Sequence, residues 1–256
     1  MSDTKPDDRP LALLIPGLDG TGGLFYRQIE ALAKSCRVIV CAYPPGGTCD
    51  LSGLTRGLGH ETAGEAPHSV LVFAESFGGL VALNYVLEYP ERVKRLVLVN
   101  SFPFFRRRLR IRMARALAGF LKFRFGRIMK DSVVDRVLSR EGILAEDRQR
   151  YREVVRRVDV PAYRRRLQLV QETDFRPVLG RIAVPTVLLA AGRDKLVPSV
   201  VEAHFMATRM INAQVHEFPG AGHALLLTPG FSLADYVNDS DLRPQTSDFR
   251  LPTFKV

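Results

Sequence analysis

Three side chains of complementary chemistry stand just beyond three apolar runs of strand length. Ser76 comes after Ser69–Ala74 (SVLVFA), Asp194 after Pro185–Ala191 (PTVLLAA) and His223 after Gln214–Phe218, the last two in glycine-bearing turns, Gly192-Arg193-Asp194 and Pro219-Gly220-Ala221-Gly222-His223. A serine hydroxyl is a weak nucleophile at neutral pH, so it needs a base to take its proton, and the base needs an acid to orient it. The chain order Ser, Asp, His predicts Ser76 as nucleophile, His223 as base and Asp194 as orienting acid. The other histidines are weaker candidates. His60 and His68 lie in polar stretches upstream of the serine, His204 falls in a predicted helix and His216 inside a strand.

The residues around the serine suit the same chemistry. Ala74-Glu75-Ser76-Phe77-Gly78-Gly79 joins a strand to the helical pattern Leu80–Glu88. A sharp turn there needs small neighbours, and the helix behind it aims backbone N–H groups at developing negative charge. Ala74 stands where a glycine is usual, and it remains small. Acyl transfer also needs donors for the carbonyl oxygen. The backbone N–H of Phe77 is one expected donor. Leu18, in Pro16-Gly17-Leu18 after the strand Leu11–Ile15, supplies the other, with Gly17 allowing close approach. The glycines from Gly17 to Gly23 match neither G-x-G-x-x-G nor G-x-x-x-x-G-K-[ST], which argues against a nucleotide. Glu75 is open to two readings, a carboxylate that tunes the site and a purely structural one.

The elements that must position these residues alternate. Leu24–Lys34 reads as a helix, Cys36–Ala42 as a strand and Val93–Val99 as another strand ending at Asn100-Ser101. Ser199–Met210 reads as a helix and Gly230–Asn238 as a short final one. In Leu51–Gly64 three glycines weaken any helix. Strands alternating with helices imply an α/β fold, a mostly parallel sheet with helices on both faces. Asp239–Val256 is polar and proline-bearing and is expected to be loosely ordered.

Composition narrows the function. The 256 residues are 46% hydrophobic and 25% charged, which excludes wholesale disorder. No charge-free apolar run is long enough to cross a membrane, and Met1–Pro10 lacks a secretory pattern, so a cytoplasmic location is expected. Cys36, Cys41 and Cys49 have no metal-ligand spacing, and neither metal nor organic cofactor is expected. The net charge of +10 is concentrated between Phe102 and Arg176, which hold 21 Lys+Arg against 9 Asp+Glu, an excess of 21 − 9 = 12. Within it Leu109, Met113, Leu117, Phe120 and Leu121 recur at helical spacing, with Arg108, Arg112 and Arg115 off that stripe. The pattern suits a helix packing over a pocket or resting on an anionic lipid surface, and it does not favour nucleic acid.

IPGLDGTGGLF, FAESFGGLVALNYVLEYPERVKRLVLVNS, PTVLLAAGRDKLVP and PGAGH together resemble the α/β-hydrolase superfamily. The resemblance covers most of the chain outside 102–175. It implies a core from residues 1–101 and 176–256, with 102–175 inserted as a helical, arginine-rich cap. It further implies Ser76 as nucleophile, His223 as base and then acid, Asp194 as orienting acid, and an acyl-enzyme hydrolysed by water. The family's usual acid follows its seventh strand, which suits Asp194. A minority carry it after the sixth, where Asn100-Ser101 stands here. A serine nucleophile also disfavours the branches that use aspartate, such as haloalkane dehalogenases and epoxide hydrolases. The expected activity is hydrolysis of a small or medium carboxylic ester. Thioester hydrolysis, acyl transfer to an alcohol, as in the distantly similar plastid acyl-ester-forming enzymes, and a silent ligand- or lipid-binding scaffold are the alternatives. Phe102, Phe104, Phe105, Phe120, Phe123 and Phe125 are expected to help build the acyl pocket.

Overall fold

The computed structural model describes residues 8–106, 113 and 143–238. The apolar runs form six parallel strands, β1 (Leu11–Ile15), β2 (Arg37–Val40), β3 (Val70–Glu75), β4 (Val93–Val99), β5 (Thr186–Ala191) and β6 (Ala213–Phe218), in the order β2-β1-β3-β4-β5-β6. Register is carried by alternation. Leu11, Leu13 and Ile15 of β1 face one core layer with Val70, Val72 and Ala74 of β3, while Ala12 and Leu14 face the other with Leu71 and Phe73. Because successive strand residues point to opposite faces, a slip by one residue would exchange the two layers.

The first layer is closed by helices α2 (Leu51–Glu61), α3 (Gly78–Glu88) and α6 (Ser199–Ala207). The second is closed by α1 (Tyr26–Ala33) and the turns Leu225–Leu227 and Leu233–Tyr236. The predicted helix at Gly230–Asn238 is therefore a single 3-10 turn. Two further helices, α4 (Ala145–Arg156) and α5 (Val160–Glu172), come from the arginine-rich segment. The amphipathic stretch from Leu109 to Leu121, apart from Met113, lies outside the described residues, as do Phe120, Phe123, Phe125 and the tail from Asp239.

Helix α2 corrects the doubt cast by its glycines. Gly53, Gly57 and Gly59 together cost about 3 kcal/mol of helix propensity. Against that, burial of Leu54 and Leu58 contributes about 1.5–3 kcal/mol each. The Asp50 carboxylate caps the first turn by accepting from the Gly53 N–H at 2.6 Å, worth about 1 kcal/mol. Gly59 also lets the Tyr89 side chain pack close, since a Cβ there would sit 2.8 Å from the end of its ring.

Sheet order places the site. The chain moves outward from β1 to β2, then returns to the other side of β1 with β3. Connections leaving adjacent strands in opposite directions open a crevice beyond their carboxyl ends. Pro16-Gly17-Leu18 follows β1 there, and Ser76 follows β3.

Candidate active site

Ser76 stands at φ +52°, a left-handed conformation that costs a residue with a Cβ about 1–2 kcal/mol. The surroundings enforce it. The Ser76 N–H donates to Val99 O at 2.9 Å, and its carbonyl accepts from the Gly79 N–H at 3.0 Å and the Ser101 hydroxyl at 2.8 Å. Gly78 is needed because a Cβ there would come within 2.5 Å of the Ile15 carbonyl oxygen.

Two loops bring the partners to the serine. The His223 ring lies with Nε2 3.1 Å from Ser76 Oγ and Nδ1 2.7 Å from Asp194 Oδ2. An ionised carboxylate only accepts, so Nδ1 carries the proton and Nε2 offers its lone pair to the serine hydroxyl. Asp194 is held from three further directions. Its Oδ1 accepts from the Leu196 and Val197 N–H groups at 2.8 and 3.0 Å, and Oδ2 accepts from the Ser199 hydroxyl. Burial opposes its charge, but the His223 ring and these donors outweigh burial and hold its pKa below the ordinary value. Burial likewise opposes a charged His223, yet Asp194 and, more weakly, Glu75 raise its pKa above 6.5.

Asn100 and Ser101, after β4, were not expected to participate. Ser101 anchors the serine carbonyl as described. Asn100, at φ +48° and buried, joins the other two loops. Its Oδ1 accepts from the Ala191 N–H at 2.8 Å, and its Nδ2 donates to the carbonyls of His223 at 2.7 Å and Gly222 at 3.3 Å.

A cavity of about 80 Å³ opens beside Ser76 and His223. Its apolar wall is Leu18, Leu24, Val154, Val155, Leu196 and Ala224, and its polar wall includes Asp19, Glu75 and Tyr151. Phe102, Phe104 and Phe105 are not among the residues lining this cavity. Phe102 and Phe105 pack on each other with ring centroids 5.2 Å apart, and Arg176 stacks on Phe104 at 3.8 Å. They bury apolar surface where the segment leaves and rejoins the sheet, while α4 supplies the wall with Tyr151, Val154 and Val155.

Glu75 ends β3 and is 4% exposed. Burial pushes its carboxyl up to about 7; Asp19 and Asp194 add to the rise, while His223 and the Gly17 N–H pull against it. Leu18 lines the cavity, and Phe77 directly precedes α3. Among the described residues, neither the Leu18 nor the Phe77 N–H has a protein acceptor. No cluster of three His, Cys, Asp or Glu side chains among them could hold a metal. No described helix is long and apolar enough to cross a membrane.

A parallel sheet with a serine, a histidine and an aspartate hydrogen-bonded in series beyond its carboxyl edge defines an α/β architecture of the hydrolase type. The model of the alpha/beta hydrolase family matches residues 12–235, and the chain belongs to that family. A protein of Serratia proteamaculans (strain 568), provisionally named the carbamate hydrolase RutD, is 28% identical over 240 residues, covering 86% of this chain and 88% of its own. A pimeloyl-(acyl-carrier protein) methyl ester esterase of Chromobacterium violaceum is 27% identical over 233 residues, covering 86% and 89%. Among solved structures, an esterase of Exiguobacterium antarcticum superposes with a TM-score of 0.73 at 17% identity, covering 85% of this chain and 86% of its own. These similarities support a hydrolase of the α/β type.

Proposed function

We propose that the protein is a serine hydrolase of short carboxylic esters acting through Ser76, His223 and Asp194. The observation that carries this reading is the His223 ring bridging Ser76 Oγ and Asp194 Oδ2 at 3.1 and 2.7 Å beside a cavity. Ser76 Oγ attacks the ester carbonyl carbon as its proton passes to His223 Nε2. The carbonyl oxygen becomes an oxyanion, met by the Leu18 and Phe77 N–H groups. Collapse breaks the bond to the alcohol oxygen, which leaves with the proton from His223. Water then attacks the acyl-enzyme, again giving its proton to His223, and the acid is released as Ser76 regains its hydrogen. In this reading 102–175 serves as a cap, with α4 setting the acyl pocket.

The ester class is supported by the name of the Chromobacterium relative, and the small cavity among the described residues supports a short acyl group. The test is fluorophosphonate labelling of wild type and Ser76→Ala, followed by p-nitrophenyl esters of increasing chain length. Labelling and turnover that vanish in a folded Ser76→Ala protein are expected, with the shortest esters preferred. Turnover by Ser76→Ala, or an unlabelled folded wild type, would reject the mechanism.

A further inference from the structure

One buried cation is not used by the mechanism above. Arg166 of α5 is 2% exposed, although ionised groups are strongly disfavoured in such surroundings unless they are well paired. Among the described residues its guanidinium meets no carboxylate within ion-pair distance; it meets backbone instead. Its Nε donates to Leu18 O at 2.9 Å and its Nη2 to Asp19 O at 3.1 Å. The same group lies 5.7 Å from the centroid of the Tyr43 ring, whose hydroxyl donates to Pro16 O at 2.8 Å.

These contacts complete a pattern along one loop. The Gly17 carbonyl accepts from the Gly20 N–H at 3.1 Å, and the Gly20 carbonyl accepts from the Tyr43 N–H at 2.8 Å. Every carbonyl from Pro16 to Gly20 therefore has a donor, and two of the five are held by Arg166. The Leu18 N–H shares a peptide plane with the Gly17 carbonyl, which the Gly20 N–H holds, and the Gly20 N–H shares a plane with the Asp19 carbonyl, which Arg166 holds. The clamp therefore sets the direction of the Leu18 N–H through that one hydrogen bond, and this N–H has no protein acceptor among the described residues. Gly20, at φ +72°, leaves room for the clamp, since a Cβ there would lie 2.7 Å from Arg166 Cζ.

We propose that Arg166 is a positioning residue for the reaction: reaching from α5, it clamps the Leu18 and Asp19 carbonyls so that the Leu18 N–H is preorganised for the oxyanion. The inference rests on the proposed ester hydrolysis. It means that one side of the oxyanion hole is built by the inserted segment, 148 residues along the chain from Leu18.

The test uses full-length wild type, Arg166→Met, Arg166→Lys and Tyr43→Phe, the last removing only the hydroxyl that holds Pro16 O. Removal of one oxyanion donor lowers kcat by roughly 100- to 1,000-fold, so misdirecting it in Arg166→Met is expected to cost about 10- to 100-fold in kcat, with KM little changed. Arg166→Lys is expected to recover part of the loss, and Tyr43→Phe to show a smaller loss of the same kind. Inhibition by an alkyl boronic acid, whose tetrahedral adduct on Ser76 resembles the transition state, should weaken in proportion to kcat. A raised KM with kcat preserved, or a fall in kcat with boronate affinity unchanged, would overturn the clamp. If Arg166→Met does not fold, Arg166→Lys, which loses the two-pronged contact with the Leu18 and Asp19 carbonyls, is judged by the same criteria. A wild type without Ser76-dependent turnover would overturn the ester-hydrolase reading itself and the clamp with it.

Discussion

Replacing Glu75 by Gln removes a carboxyl group that is almost wholly enclosed, keeps its size, and keeps an oxygen for the Gly17 N–H. Burial moves this group from 4.5 to about 7 on folding, and the folded chain therefore binds its proton more tightly than the unfolded chain does. Below about pH 4 the group is protonated in both states and the shift has no effect on stability. As the pH rises past the unfolded value, wild type loses stability, and the loss levels off above the folded value. The full shift corresponds to about 3 kcal/mol. With only 4% exposure, solvent screening reduces that little. Urea unfolding of wild type and Glu75→Gln from about pH 4 to about pH 8.5 measures it. The variant should gain on wild type by about 3 kcal/mol over that range, whatever constant offset the amide introduces. A difference that stays flat with pH, or that moves against the variant as pH rises, would refute the reasoning that burial dominates at Glu75.

Asn100→Ala strands three buried backbone groups at about 1 kcal/mol or more each and leaves an alanine in the left-handed region at about 1 kcal/mol, so a loss of roughly 4 kcal/mol is expected. Urea unfolding checks it, and a loss below about 1 kcal/mol would deny Asn100 its bridging role. Asp194→Asn leaves His223 without the partner that selects its tautomer, and kcat should fall by roughly 1,000- to 10,000-fold. Because Asp194 raises the His223 pKa while burial lowers it, the residual activity of this variant should rise with pH from a more acidic midpoint than wild type. An unmoved or more alkaline midpoint in the pH–rate profile would count against that assignment.

The sequence by itself determined the sheet and the approximate places of the three side chains. Runs such as LALLI, SVLVFA and PTVLLAA have few soluble alternatives to buried parallel strands. The turns that stop them set Ser76, Asp194 and His223 beyond the carboxyl edge. Local signals failed where a distant partner decided the outcome. The helix Leu51–Glu61 forms against its glycines because Leu54 and Leu58 find the core, where Phe102 and Phe105 pack on each other. Asn100 looked like a vacant acid position, yet it ties the His223 loop to the end of β5. Nothing near Arg166 in the sequence distinguishes it from its arginine neighbours Arg164 and Arg165. Only the tertiary structure buries its guanidinium against the Leu18 and Asp19 carbonyls, because hydrogen bonding and burial depend on which groups meet in space, and the pattern of residues along a helix does not contain that information.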